Sequence, residues 1–161
     1  MSHNLNPTAG QVDIRGPRFA AWITTGVLVL VLLVSAFSIP AAAVLIGPQA
    51  IVFALGALHG PQGSPYGWLF ANFVAPRIGP ATETEPVAPL HFAQLVGFVF
   101  AAAGFIGFAS GIGVLGAIFT AFALFAAFLN AAFGICLGCM IYPLAQRLFQ
   151  HLPAASTRVT S

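Results

Sequence analysis

Phe19-Ala-Ala-Trp-Ile-Thr-Thr-Gly-Val-Leu-Val-Leu-Val-Leu-Leu-Val-Ser-Ala-Phe-Ser38 decides the fold. The run carries no charged side chain. At a helical rise of about 1.5 Å per residue it crosses the roughly 30 Å hydrocarbon core of a bilayer. Trp22 stands near its start, where interfacial aromatics belong. It is too long for a signal-peptide core, and further apolar runs follow, so it reads as a retained span and not a cleaved leader.

On its N-terminal side, residues 1–14 are polar and irregular and read as a disordered N-terminal tail. Arg15-Gly16-Pro17-Arg18 leads into the first span, over 19–38. Pro40 suits the opening of a second span over 41–58, with a kink expected at Gly47-Pro48. Gly60-Pro-Gln-Gly-Ser-Pro-Tyr-Gly67 is a strong turn signature. Residues 66–77 are too few to span, and their aromatics suit a short interfacial helix. Three prolines and both glutamates make 79–89 an exposed loop. A third span covers 90–109. From Val114 the chain stays apolar until Arg147, about 50 Å as one straight helix. That exceeds the membrane core, so a break is expected between Gly134 and Gly138, leaving a fourth span over 114–134 and an interfacial helix over 140–150. Residues 151–161 read as a disordered C-terminal tail, and 15–150 as a single four-helix transmembrane domain.

Composition agrees with this all-α membrane class. Of 161 residues, 59% are hydrophobic and 5% charged, and the mean hydropathy is +0.97. A soluble domain carries about 25% charged residues. Five arginines (15, 18, 77, 147 and 158) and no lysine make no clustered basic footprint for nucleic acid. All five lie in the N-terminal, central or C-terminal segments, and the short turns near Ser38 and Ser110 have none. The positive-inside rule then places both termini in the cytoplasm of a multi-pass cell-membrane protein. No acid lies within a span, which argues against an ion-coupled pump.

The two halves resemble each other. Phe19 matches Phe92, and Gly60 matches Gly134, so the chain reads as two like hairpins, 17–77 and 89–150, related by a pseudo-twofold axis along the membrane normal. Their closing motifs then fall together on the cytoplasmic face, and only the second carries thiols. Small residues such as Ala101, Gly104, Gly107 and Ala123 are candidates for close helix packing.

Cys136-Leu137-Gly138-Cys139 is the chemical feature of the chain. Two cysteines spaced this way share a helix face and are able to form a disulfide or share a metal. If a helix begins near Gly138, its N-terminus favours thiolate at Cys136, which becomes the attacking sulfur with Cys139 resolving. Gly134, Gly138, Ser64 and Tyr66 are candidate supporting residues. Asn130, one turn earlier, reads either as an interhelical hydrogen bonder or as a support of the thiol site. A metal site would need His59 and His91 beside the two cysteines, although each histidine also reads as a solvated interfacial residue. His3 and His151 look like tail residues. No strand–turn–helix pattern suggests thioredoxin, and no phosphate loop, serine triad or haem-ligand pair is present. The residues therefore name no cofactor and no stand-alone enzyme.

Arg15-Gly-Pro-Arg-Phe-Ala20, Ala54-Leu-Gly-Ala57, Gly60-Pro61, Ser64-Pro-Tyr-Gly67 and Leu129-Asn-Ala-Ala-Phe-Gly-Ile-Cys-Leu-Gly-Cys139 together resemble a bacterial membrane family, domain-of-unknown-function family 4395, over residues 12–150. The resemblance implies a four-helix membrane protein and brings no activity. That family often has an acidic residue after the second cysteine, where this chain has Met140. Three readings stand. One is a thiol relay exchanging electrons or sulfur with a cytoplasmic thioredoxin-like or sulfurtransferase partner. The second is a non-enzymatic scaffold or small transporter subunit whose cysteines pack. The third is a Cys/His metal site.

Overall fold

The computed structural model describes residues 10–151. Residues 1–9 and 152–161, most of both expected tails with His3 and Arg158, lie outside the described residues. The elements in chain order are β1 (Gln11–Asp13), α1 (Arg15–Ser35), α2 (Ile39–His59), a 3₁₀ turn (Pro61–Gly63), α3 (Pro65–Leu69), a π turn (Phe70–Val74), α4 (Ala75–Ile78), β2 (Thr84–Pro86), α5 (Val87–Ala109), α6 (Gly113–Phe133) and α7 (Leu137–Gln150). Four of them, α1, α2, α5 and α6, are long and apolar enough to cross a membrane.

Local chemistry explains the boundaries. Ser38 caps α2 through its Oγ, which accepts from the Ala41 N–H at 3.3 Å, and Pro40 fits the first turn. Pro48 sits inside α2, which continues through it from Ile39 to His59. The expected break after the fourth span falls between α6 and α7. Gly134 takes a left-handed conformation there (φ 68°, ψ 17°), which costs glycine no Cβ clash. The expected interfacial stretch at 66–77 is helical from Pro65 to Ile78, with a π turn in its middle.

Two expectations change. Residues 11–13, read as the end of a tail, form β1, which pairs antiparallel with β2, so Val12 faces Glu85. Residues 84–86 are therefore a strand and not open loop, and α5 already begins at Val87. Both strands are three residues long, too short to announce themselves by alternation. Arg15 pairs with Asp13 at the end of β1 at 2.7 Å and donates to the Gly79 carbonyl at 3.1 Å.

α1–α2 and α5–α6 are adjacent hairpins, α2 packs along α5, and α1 packs along α6. Val31, Ala42, Ile46, Phe53, Ala101 and Phe108 form the central core. Leu33, Val44, Ile51, Ile106 and Phe122 are exposed on the outside, which suits a lipid exterior. With no hydrophobic difference between lipid and core, packing relies on close backbone approach. At the α5–α6 crossing a Cβ on Gly107 would lie 2.6 Å from the Gly116 nitrogen. The buried hydroxyls of Thr25 and Thr120 donate to carbonyls one turn back, at 2.7 Å each.

Candidate functional site

Cys136 is the N-cap of α7, in extended conformation (φ −87°, ψ 101°), and its Sγ accepts from the Cys139 N–H at 3.2 Å. Cys136 and Cys139 are joined as a disulfide, with Cα atoms 5.1 Å apart. Both are half-buried. Gly138 is buried against α5, where a Cβ would fall 2.5 Å from the Ala93 Cα. Glycine thus lets the first turn of α7 rest on α5, and the Phe92 and Tyr142 rings meet one turn further on at 6.0 Å.

Ser64 does for α3 what Cys136 does for α7. Its Oγ accepts from the Gly67 N–H at 3.1 Å and donates to the Pro61 carbonyl at 2.8 Å. The caps therefore set Ser64 against Cys136 and Gly67 against Cys139, two residues away from the register that sequence matching of Gly60 to Gly134 suggests.

Two cavities meet at the disulfide. An open one of about 440 Å³ is lined by Cys136, Cys139, Glu85, Pro86, Pro89, Gly134, Ile135 and Met140. Glu85 is the one carboxylate among these lining residues. Burial pushes the Glu85 pKa up, the Arg18 charge works against this, and Glu83 adds to it. Arg18 also lies beside the α6–α7 break, 3.7 Å from where a Gly134 Cβ would stand. Sequence reasoning missed Glu85, since nothing local ties it to Cys136. The β1–β2 ladder puts it there.

The second cavity, about 380 Å³, lies among the four long helices. Cys136, Gly138, Ser64, Tyr66 and Asn130 all line it, so most of the residues singled out from the sequence come together. Gly134 lines only the open one. Tyr66 Oη donates to Gln49 Oε1 at 2.7 Å, and Gln49 Nε2 reaches Thr24 Oγ1 at 3.5 Å. Burial raises the Tyr66 pKa, which keeps the phenol a donor. Gln49 is 2% exposed and was missed, as was Gln94 on the cavity wall. The available signal was an amide in an otherwise apolar span. Asn130 makes no interhelical hydrogen bond among the described residues, which corrects that expectation.

The histidines lie elsewhere. His91 Nδ1 lies 2.8 Å from the Ala57 carbonyl, which only accepts, so the proton sits on Nδ1. His59 is exposed at the end of α2, and His151 follows α7. Among the described residues no three His, Cys, Asp or Glu side chains gather as a metal site would require.

Fold and site together define a helical protein with four candidate membrane spans and a Cys-x-x-Cys pair at the start of a further short helix. The chain belongs to the family described as Domain of unknown function (DUF4395), whose model matches residues 12–147. The resemblance read from the motifs is therefore correct. No curated protein and no solved structure matches the chain.

Proposed function

We propose that this protein is a multi-pass membrane thiol relay that works through Cys136 and Cys139 at the cytoplasmic face of the cell membrane, exchanging electrons with a thioredoxin-like partner. The observation that carries the reading is the pairing of the two sulfurs at the N-terminus of α7. Arg15 and Arg18 at the start of α1, Arg77 in α4 and Arg147 in α7 support the cytoplasmic orientation through the positive-inside rule. Exchange of the two halves maps the α1–α6 packing onto α5–α2 and the Ser64 cap onto Cys136, which supports the two-hairpin design.

The chemistry is thiol–disulfide exchange. A thiolate of a reduced partner attacks Cys136 Sγ, a mixed disulfide forms, and Cys139 leaves as thiolate and takes a proton. The partner's second thiol loses its proton and attacks the mixed disulfide. This releases the Cys136 thiolate and leaves the partner oxidised. Once the released Cys136 thiolate also takes a proton, two electrons and two protons have moved from the partner dithiol to this chain. The α7 N-terminus stabilises the Cys136 thiolate, and Glu85 is placed on the open side to pass a proton to or from the pair.

The test is thiol trapping in membranes. Cys139→Ser, which lacks the resolving sulfur, is expected to accumulate a mixed disulfide through Cys136 that Cys136→Ser does not form. If neither cysteine changes redox state in the wild type and neither variant traps a partner, the proposal fails.

A further inference from the structure

Two primary amides among the long helices have no hydrogen-bond partner among the described residues. Asn130 on α6 and Gln94 on α5 both line the 380 Å³ cavity, and their side chains have no hydrogen-bond partner among the described residues. No polar side-chain atom among those residues is sealed from outside contact and unpaired, so both amides open onto space. An amide beside a largely apolar wall gains from a polar group that meets it. The remaining wall is largely apolar, with Phe53, Val96 and Phe100. Phe122, also in the wall, is 56% exposed on the outer surface, so the cavity borders the lipid side. Cys136 borders this cavity and the open one alike.

An occupant must enter from lipid, offer oxygens to the amides, and have business with a thiol pair. An acyl chain meets only the first condition, and a charged soluble cofactor fails it. We propose that the cavity binds the ring of an isoprenoid quinone, with Asn130 and Gln94 donating to its oxygens, and that the quinone takes the electron pair from the reduced Cys136/Cys139 dithiol. The volume falls within the range of small-molecule sites, about 300–1,000 Å³, and the isoprenoid tail remains in the bilayer. This inference rests on the thiol reading and names its second substrate.

The step balances within the dithiol and the quinone. The Cys136 thiolate adds to a ring carbon, a C–S bond forms, and the displaced electron pair moves to a ring oxygen, which takes one of the two thiol protons. The Cys139 thiolate then attacks Cys136 Sγ. The S–S bond forms, the C–S bond breaks, and its electron pair leaves with the ring, whose second oxygen takes the other proton. Dithiol and quinone become disulfide and quinol.

The test uses the full chain in lipid nanodiscs, reduced with dithiothreitol, freed of it, and mixed with decyl-ubiquinone. One quinol per disulfide re-formed is expected, and none with Cys136→Ser. Asn130→Leu should raise the half-saturating quinone concentration roughly three- to tenfold, the loss of one hydrogen bond. If that variant does not fold, an azidoquinone on the wild type serves instead, and labelling of α5 and α6 that decyl-ubiquinone competes away is expected. Two results overturn the inference while leaving the thiol reading intact. One is a dithiol that cycles with oxidised glutathione but ignores the quinone; the other is a co-purified acyl chain that the quinone does not displace. Cysteines that never cycle with glutathione overturn both.

Discussion

Gly138→Ala adds one methyl group at the point where α7 rests on α5. The new Cβ would lie 2.5 Å from the Ala93 Cα and 2.6 Å from its Cβ. Comfortable carbon–carbon contact is about 3.5–4.0 Å, so the first turn of α7 must withdraw by about 1.0–1.5 Å. Neither neighbouring atom belongs to a side chain able to rotate away. Overpacking of this kind costs about 1–3 kcal/mol, or roughly 2–12 °C in midpoint for a chain of this size. The withdrawal also carries Cys136 away from the cavity among the long helices. A thermal unfolding series in detergent, paired with maleimide labelling of the reduced protein, measures both effects. Gly26→Ala is the control, because nothing lies within 4 Å of its added Cβ, and its midpoint should stay level or rise slightly. If Gly138→Ala unfolds with the wild type and labels at the same rate, the close contact does not hold the thiol pair in place.

Three further outcomes follow from the structure. Tyr66→Phe leaves the buried Gln49 carbonyl oxygen without its donor, which should cost about 1–3 kcal/mol; adding Gln49→Leu should recover part of it, read from a double-mutant cycle. Asp13 has a lowered pKa: burial works to raise it, but the hydrogen bonds and charge of Arg15 outweigh burial. Its contribution is therefore present above the unfolded carboxylate value of about 3.9 and lost as pH falls through the lower folded value. Asp13→Asn should flatten the acid limb of a midpoint-against-pH profile. Glu85 behaves in the opposite sense, since its folded pKa is raised. Its contribution is full below the unfolded value of about 4.3 and fades as pH rises through the folded one. Glu85→Gln should thus hold its midpoint above that range where the wild type declines.

The four spans were legible because each is a long uncharged run, and lipid imposes that pattern on every exposed helix. The break near Gly134 was legible from length alone. The thiol pair was legible because Cys136 and Cys139 are close in sequence, and their spacing already confines them to one helical turn. The strands escaped notice because a three-residue ladder leaves no periodic trace, and its two strands lie far apart in sequence, Val12 facing Glu85, with Thr84 Oγ1 donating to Gln11 Oε1 across 73 residues. Glu85 escaped with them. The free amide of Asn130 escaped for the opposite reason: a polar residue in a span invites a partner, and whether one is within reach is a matter of helix rotation.

The membrane class, the number of long helices, the cysteine motif and the family are all readable from the residues. These follow from composition, run length and local spacing, which need no knowledge of what lies across the bundle. Only the tertiary structure shows that Glu85 lines one cavity with the disulfide, that Gly138 sits on Ala93, and that Cys136 borders both that cavity and the one lined by Asn130 and Gln94. Each of those depends on how α5, α6 and α7 rotate and cross, and in lipid that is set by close backbone contacts, which apolar sequence does not encode in its pattern.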